Sequence, residues 1–241
     1  MNKLWQLRLA KAWFSLSHPS LWRGLRLGVV PSLEHRDVLQ SLQPDLLLDV
    51  GANRGQFSLM ARQVHPGLRI HAFEPLLAEA VTYGQIFTGS SGVELHHLAL
   101  GDQPGTASLH ISRRADSSSL LPIGELQTRL FPHTEEVGTH QVSVVLLDSL
   151  PALWQGASCA LLKIDVQGFE LSVLRGAQQA LKHCAYVYAE CSEVPLYTGQ
   201  ALYPEIEAFL RGEGFALKRR ANEQWVEGRL VQADYLFSRA S

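Results

Sequence analysis

No run in this 241-residue chain approaches the ~18–20 apolar residues needed to span a bilayer as a helix. Cysteine is scarce: Cys159, Cys184 and Cys191 are an odd number with no C-x-x-C pair, which excludes a disulfide framework and a zinc finger. Buried free thiols in a reducing cytoplasm are what such usage predicts. Charge of either sign is not in excess: 21 Lys and Arg stand against 23 Asp and Glu, so nothing marks nucleic acid as a partner. A secretory signal is not expected, because Lys11 interrupts the first apolar stretch and no small-residue cleavage site follows. Internal repeats and low-complexity tracts are also missing. The His and Asp residues are scattered without ligand spacing, so the reading is metal: none.

What is present is core-forming sequence. Hydrophobic residues make up 46% and charged residues 18%, which suits one large folded domain with a short appendage. Residues 1–43 read as an N-terminal helical extension, with Leu4, Trp5, Leu9, Trp13 and Leu16 at helical spacing until Pro19. A second short helix runs through Leu21, Trp22 and Leu25. A third starts after Pro31, with Ser32 as N-cap and Val38 and Leu39 facing inward. From residue 44 to 241 the pattern is that of a single α/β domain. Leu46 to Val50 is a short apolar run between Pro44 and Gly51, as expected of a strand buried on both faces. Strands at Leu68–Phe73, Val93–Leu98, Ala160–Ile164 and Ala185–Ala189 alternate with helices at Phe57–Val64, Ala78–Phe87, Phe169–Leu181 and Tyr203–Arg211. That alternation predicts a doubly wound, Rossmann-like sheet with helices on both faces. Phe215–Lys218 and Tyr235–Phe237 supply two final strands. Strands at Thr106–Ile111 and His140–Leu146 interrupt the alternation, and the long Ser- and Arg-containing loop between them is a candidate lid.

The turn Asp49-Val50-Gly51-Ala52-Asn53-Arg54-Gly55 follows the first strand and opens a helix at Phe57. Gly51 permits a sharp turn close to a ligand, and the helix start offers free N–H groups to an anion. Asp49 at the strand tip is placed to accept the ammonium of an amino acid. The G-x-x-x-G spacing differs from the G-x-G-x-x-G of pyrophosphate cofactors. Glu74, beside Pro75 at the next strand tip, is placed for ribose hydroxyls. At the third tip, Ala99 to Asp102 could flank an adenine, with Asp102 bonding its amine. A ribose without a pyrophosphate points to S-adenosylmethionine. A nicotinamide-dependent oxidoreductase and a non-catalytic cofactor-binding module are the alternatives.

Asp49–Phe57 (DVGANRGQF), Phe73-Glu74-Pro75, Ala99–Asp102 (ALGD), Leu162–Glu170 (LKIDVQGFE), Val173–Ala177 (VLRGA) and Glu190–Gly199 together resemble the FkbM family of methyltransferases. The resemblance covers about residues 30–240. It implies a class I methyltransferase fold, a seven-stranded mostly parallel sheet whose last strand is antiparallel. It also implies S-adenosylmethionine-dependent O-methylation of a hydroxyl on a sugar, glycan or natural product. The cofactor side then comprises Asp49, Gly51, Ala52, Asn53, Gly55, Phe57, Glu74, Pro75, Ala99, Asp102, Asp165 and Gln167.

Asp165 and Glu190 end the fourth and fifth strands on the cofactor's edge of the sheet. With Glu170 at a helix start, they are the catalytic candidates, since a hydroxyl acceptor benefits from a base. His96 and His97 read as structural. Residues 1–33 carry Lys3, Arg8, Lys11, Arg23 and Arg26 with Trp5, Trp13 and Trp22 and no acidic residue. Such a segment suits packing or dimerisation, or peripheral contact with the inner face of a membrane.

Overall fold

The computed structural model describes residue 11 and residues 13–239. Leu4, Trp5, Leu9, Lys3 and Arg8 lie outside the described residues. In chain order the strands are β1 (Leu46–Val50), β2 (Arg69–Phe73), β3 (Val93–His96), β4 (Ala99–Leu100), β5 (Gly105–Ser112), β6 (Glu136–Val145), β7 (Ala160–Ile164), β8 (Cys184–Ser192), β9 (Phe215–Val226) and β10 (Arg229–Arg239). The helices are α1 (Trp22–Arg26), α2 (Arg36–Gln40), α3 (Gln56–Val64), α4 (Leu77–Phe87), α5 (Glu125–Leu130), α6 (Pro151–Trp154), α7 (Glu170–Arg175), α8 (Gln178–Leu181) and α9 (Tyr203–Gly212). Among the described residues, no helix is long and apolar enough to cross a membrane.

Seven strands form one sheet in the order β3-β2-β1-β7-β8-β10-β9. The pairings β1–β2, β1–β7, β2–β3 and β7–β8 are parallel, and β10 runs antiparallel to both its neighbours. This is the class I methyltransferase topology. The chain leaves β1 towards β2 and β3, then returns to β1's other side at β7. The switch point therefore lies between β1 and β7, where open α/β sheets collect ligands. A separate three-stranded sheet, β4-β6-β5, sits in the connection from β3 to β7.

Side-chain alternation divides the core. Leu46, Leu48 and Val50 join Leu162, Ile164, Val173 and Leu174 on one face of the sheet. Leu47 joins Leu161, Ile70 and Met60 on the other, together with Leu21, Val29, Val38, Leu39 and Leu42 from before β1. The residues preceding β1 thus complete the second core, each buried aliphatic side chain contributing about 1.5–3 kcal/mol.

Two of the expected elements that differ bear on the site. The single helix Phe169–Leu181 is two, α7 and α8, broken at Gly176. A Cβ there would stand 2.0 Å from the Gly101 carbonyl oxygen, so the helix touches the β4 turn at this point. The Gly176 carbonyl accepts the Asp148 N–H (3.0 Å), and the Asp148 carboxylate takes the N–H groups of Gln179 (2.9 Å) and Ala180 (2.9 Å), starting α8. The second difference is the loop between β5 and β6. It holds α5 and a 3-10 turn at Ala115–Ser117, and it is tied back by bridges His110↔Ser119 and Ile123↔Tyr197.

Gly51 holds the switch point together. Its φ is +73°, and an added Cβ would fall 1.9 Å from the Asp165 carbonyl oxygen. Gly51→Ala is expected to lose more than about 2 kcal/mol of stability in urea denaturation. Gly67→Ala, where a Cβ meets nothing within 4 Å, should stay within about 0.5 kcal/mol of the parent.

Candidate active site

Three β-strand ends build the floor. The turn after β1 is fixed because the N–H groups of Gly51 and Ala52 both donate to the Phe73 carbonyl at 3.0 Å, joining the tips of β1 and β2. The Asp165 N–H donates to the Val50 carbonyl at 3.1 Å, joining β1 to β7. Beneath the turn, the fully buried Asp49 accepts from the Ser58 hydroxyl at 2.7 Å, and Tyr83 in turn donates to Ser58 at 2.9 Å. Its other oxygen, Oδ1, meets Lys163 Nζ at 3.1 Å as an ion pair without a well-directed hydrogen bond. Lys163 also donates to the Gly51 carbonyl at 2.9 Å and lies 3.9 Å from Asp165 Oδ2. Burial opposes the charge of this lysine, yet Asp49 and then Asp165 outweigh it and hold its pKa above the ordinary value.

Glu74 shapes the second strand tip. Its carboxylate accepts the N–H groups of Asn53 (2.8 Å) and Leu76 (2.7 Å) while remaining 5% exposed. Burial raises its pKa to about 7, more than these two donors lower it. A cavity opens beside it. Its walls are apolar at Phe73, Leu98, Leu100, Leu109, Leu120 and Phe169, and polar at Asn53, Glu74, Asp165 and Gln167.

A second, more polar cleft shares Gly51, Asn53, Asp116 and Asp165 with the first. Lys163, Glu190, His35, Asn222, Gln224 and Asp234 line it as well. A smaller pocket continues from Asp116, Asp165, Gln167 and Glu190 to Gln127 and Gln232. At the junction, Gln167 Nε2 donates to Asp165 Oδ1 at 2.9 Å and to Glu190 Oε2 at 2.8 Å. Its Oε1 accepts from the Tyr197 hydroxyl at 2.8 Å, and its carbonyl accepts from Ser119 at 2.7 Å. Gln167 and Gly168 have φ of 56° and 98°, so this is a left-handed turn fixed by partners on every side. Burial, then the Asp165 charge, lifts the Glu190 pKa well above the usual carboxylate range. On the far wall His35 Nδ1 lies 3.0 Å from the Tyr188 hydroxyl. Tyr188 (3.0 Å) and Asn222 (2.6 Å) both donate to Asp234.

Of the expected cofactor residues, Gly51, Asn53, Glu74, Pro75, Ala99, Asp165 and Gln167 line the first cavity. Ala52 and Phe57 line the second cleft. Asp49, Gly55 and Asp102 are in neither wall. Asp49 is beneath the turn, and a Cβ on Gly55 would meet Phe87 at 2.8 Å and Tyr83 at 3.0 Å, so that glycine serves packing against α4. Among the catalytic candidates, the structure brings Asp165 and Glu190 together and sets Glu170 apart. The Glu170 carboxylate, 2% exposed, accepts the N–H groups of Gly168 (3.0 Å) and Val166 (3.3 Å) and so holds the turn that carries Gln167. Burial raises its pKa to about 7.

Sequence reading passed over Lys163, His35, Asn222 and Asp234. A lysine inside the apolar strand Leu161-Leu162-Lys163-Ile164 was a usable signal, since a buried cation demands a partner. The other three come from distant segments and carry no local pattern.

A seven-stranded sheet of this order, with a carboxylate at the second strand tip and an apolar cavity beside it, defines a class I methyltransferase. Residues 49–217 match the methyltransferase FkbM domain family, and the chain belongs to that family. It is 31% identical over 204 residues to "31-O-demethyl-FK506 methyltransferase FkbM" of Streptomyces tacrolimicus, covering 72% of this chain and 73% of that one. It is 26% identical over 194 residues to "2-O-methyltransferase NoeI" of Sinorhizobium fredii (strain NBRC 101917 / NGR234), covering 73% and 76%. Among solved structures, magnesium protoporphyrin IX methyltransferase from Synechocystis PCC 6803 with bound SAM superposes with a TM-score of 0.47 at 10% identity, over 86% of this chain and 81% of that one.

The protein is thus an S-adenosylmethionine-dependent methyltransferase, and the first cavity fits that cofactor. Glu74 is a buried carboxylate with an open side towards the cavity, suited to ribose hydroxyls. Phe73, Leu98, Leu100 and Phe169 suit an adenine face. Ionised Glu74 is the form that accepts hydroxyl protons, and below pH 7 it is largely protonated in the free protein. Cofactor affinity should therefore fall about tenfold between pH 8 and pH 6, by proton linkage through one group. Calorimetry with S-adenosylhomocysteine measures this, and Glu74→Gln should bind weakly with no such slope.

Proposed function

We propose that this methyltransferase methylates a hydroxyl of a hydroxyl-rich acceptor, a sugar, glycan or natural product, seated in the second cleft. The observation that carries the reading is the Gln167 amide, which holds Asp165 and Glu190 together where the two cavities meet. When bound, S-adenosylmethionine supplies an electrophilic methyl group. The protein's task is to hold an acceptor oxygen in line and to remove its proton. Glu190, with its raised pKa, is the proton acceptor. Asp165 faces both cavities and orients the hydroxyl. Glu170 acts as a positioning residue through the backbone of Val166 and Gly168.

The cleft walls support a hydroxyl-rich ligand. Asn53, Gln56, Asn222 and Gln224 face it, and Gln232 and Gln127 face the adjoining pocket. Among the described residues buried Gln127 Oε1 has no hydrogen-bond partner, and it is an acceptor suited to a ligand hydroxyl. Both named relatives are oxygen methyltransferases by description. Isotope-labelled methyl transfer to a panel of glycans and polyhydroxylated natural products tests the reading. Glu190→Gln is expected to lower kcat by about 10²–10⁴, and Asp165→Asn to lower it too, with cofactor affinity of Glu190→Gln within about twofold. Equal turnover in both variants would overturn the assignment.

The segment before β1 supports self-association. Trp13, Leu16 and Trp22 are 76%, 58% and 47% exposed. Arg23 is held against the protein by the Ile86 and Thr88 carbonyls, and Lys11 is paired with Glu34, which favours an apolar contact with a second copy over an anionic membrane face. Light scattering should show a dimer that Trp13→Ala with Trp22→Ala converts to monomer. An unchanged mass, with binding to anionic vesicles that the variant loses, would instead place the segment at the inner face of a membrane.

A further inference from the structure

The sequence reading expected no metal. The fold nevertheless brings three ligand-bearing side chains together at the open edge of the large sheet, away from both cavities. β2 pairs with β3 in a register that sets His71 opposite Glu94 and Phe73 opposite His96. Side chains alternate along a strand, so His71, Glu94 and His96 project from one face of two adjacent strands. His71 Nδ1 lies 3.2 Å from His96 Nε2 and 3.5 Å from Glu94 Oε2, and the three ligand atoms all lie within 4.8 Å of one another.

We propose that His71, Glu94 and His96 form a binding site for a divalent transition-metal ion of the zinc class, stapling edge strand β3 to β2. Tetrahedral ligands at about 2.0–2.1 Å from zinc are separated from one another by about 3.3–3.4 Å. The two shorter spacings here straddle that value, and the Glu94 carboxylate, 63% exposed, is free to swing inward. Two imidazoles with one carboxylate are donors for zinc, nickel, cobalt or copper(II), whereas magnesium and calcium prefer all-oxygen shells. Solvent on the open side would complete the coordination.

The site's position gives the staple a purpose. Among the described residues β3 is held by four pairings to β2 and pairs with no strand on its other side. The His96 carbonyl accepts the Glu74 N–H at 3.2 Å, and the His96 ring stacks on Phe73 with centroids 4.9 Å apart. Fixing His71 to His96 therefore braces the strand end from which Glu74 reaches the nucleoside side of the cavity. This inference rests on the edge geometry alone and is independent of the acceptor proposal.

The test uses the tag-free full chain, stripped with chelator and titrated with zinc chloride by calorimetry, and with cobalt(II) by visible absorption. One equivalent of zinc is expected, with d–d bands of tetrahedral cobalt. His71→Ala and His96→Ala should each weaken binding at least tenfold, and Glu94→Gln by a smaller factor. Zinc should raise the melting temperature of the parent and not of His71→Ala, while far-ultraviolet circular dichroism shows that both are folded. No saturable binding, or equal binding by the parent and the His71→Ala and His96→Ala variants, would overturn the proposal and leave a simple hydrogen bond between two neutral imidazoles.

Discussion

A single ion pair lies beneath everything this site does. Lys163 reaches from β7 under the turn that ends β1, meets Asp49 at 3.1 Å and takes the Gly51 carbonyl at 2.9 Å. Both side chains are removed from water, at 8% and 0% exposure. Such a pair gains little net stability over apolar residues, but breaking it by removing one partner costs about 3–5 kcal/mol. Its value here is geometric. It fixes the separation of the two strand tips at which the chain reverses its order, and Gly51 and Asp165 inherit their positions from it. Ser58 and Tyr83 extend the constraint into α3 and α4.

Above that floor the two cavities differ in character because different parts of the chain build them. The first is walled by the ends of β1, β2 and β7 and by the small β4-β6-β5 sheet, so it is narrow and apolar. The second gathers side chains from residues 28–35, β7, β8 and the β9–β10 hairpin, and it carries the carboxylates Asp116, Asp165, Glu190 and Asp234. Burial and mutual repulsion lift Glu190, and burial lifts Asp234 despite His35, Asn222 and Tyr188. Gln167 moderates this crowding by giving one N–H to each of Asp165 and Glu190.

The fold was legible where local pattern and burial agree. Leu46–Val50 reads as a doubly covered strand and is one, with every side chain buried. Gly176 shows the limit. Nothing near it in sequence announces the Gly101 contact or the Asp148 cap that divide the helix, because both partners are distant in the chain. The same holds in the site. Gly51, Glu74 and Asp165 stand at strand tips, and a strand tip can be found from hydrophobic periodicity. Asp49 stands at one too, yet its partners, Ser58 on α3 and Lys163 on β7, hold it buried beneath the turn. His35, Asn222 and Asp234 meet only because a segment before β1 folds over the β9–β10 hairpin, and no spacing rule joins residues so far apart.

The unequal construction of the two cavities has a mechanical consequence. The lining of the first includes joints of the sheet, since Gly51 and Asp165 tie β1 to β2 and β7, and exchanging them costs the fold. The second cleft draws instead on segments far apart in the chain, from residues 28–35 to Asp234, and it includes exposed side chains such as Gln224. Asp116 and Asp165, the carboxylates shared by both spaces, couple the two, so a change of charge at either is felt on both sides at once.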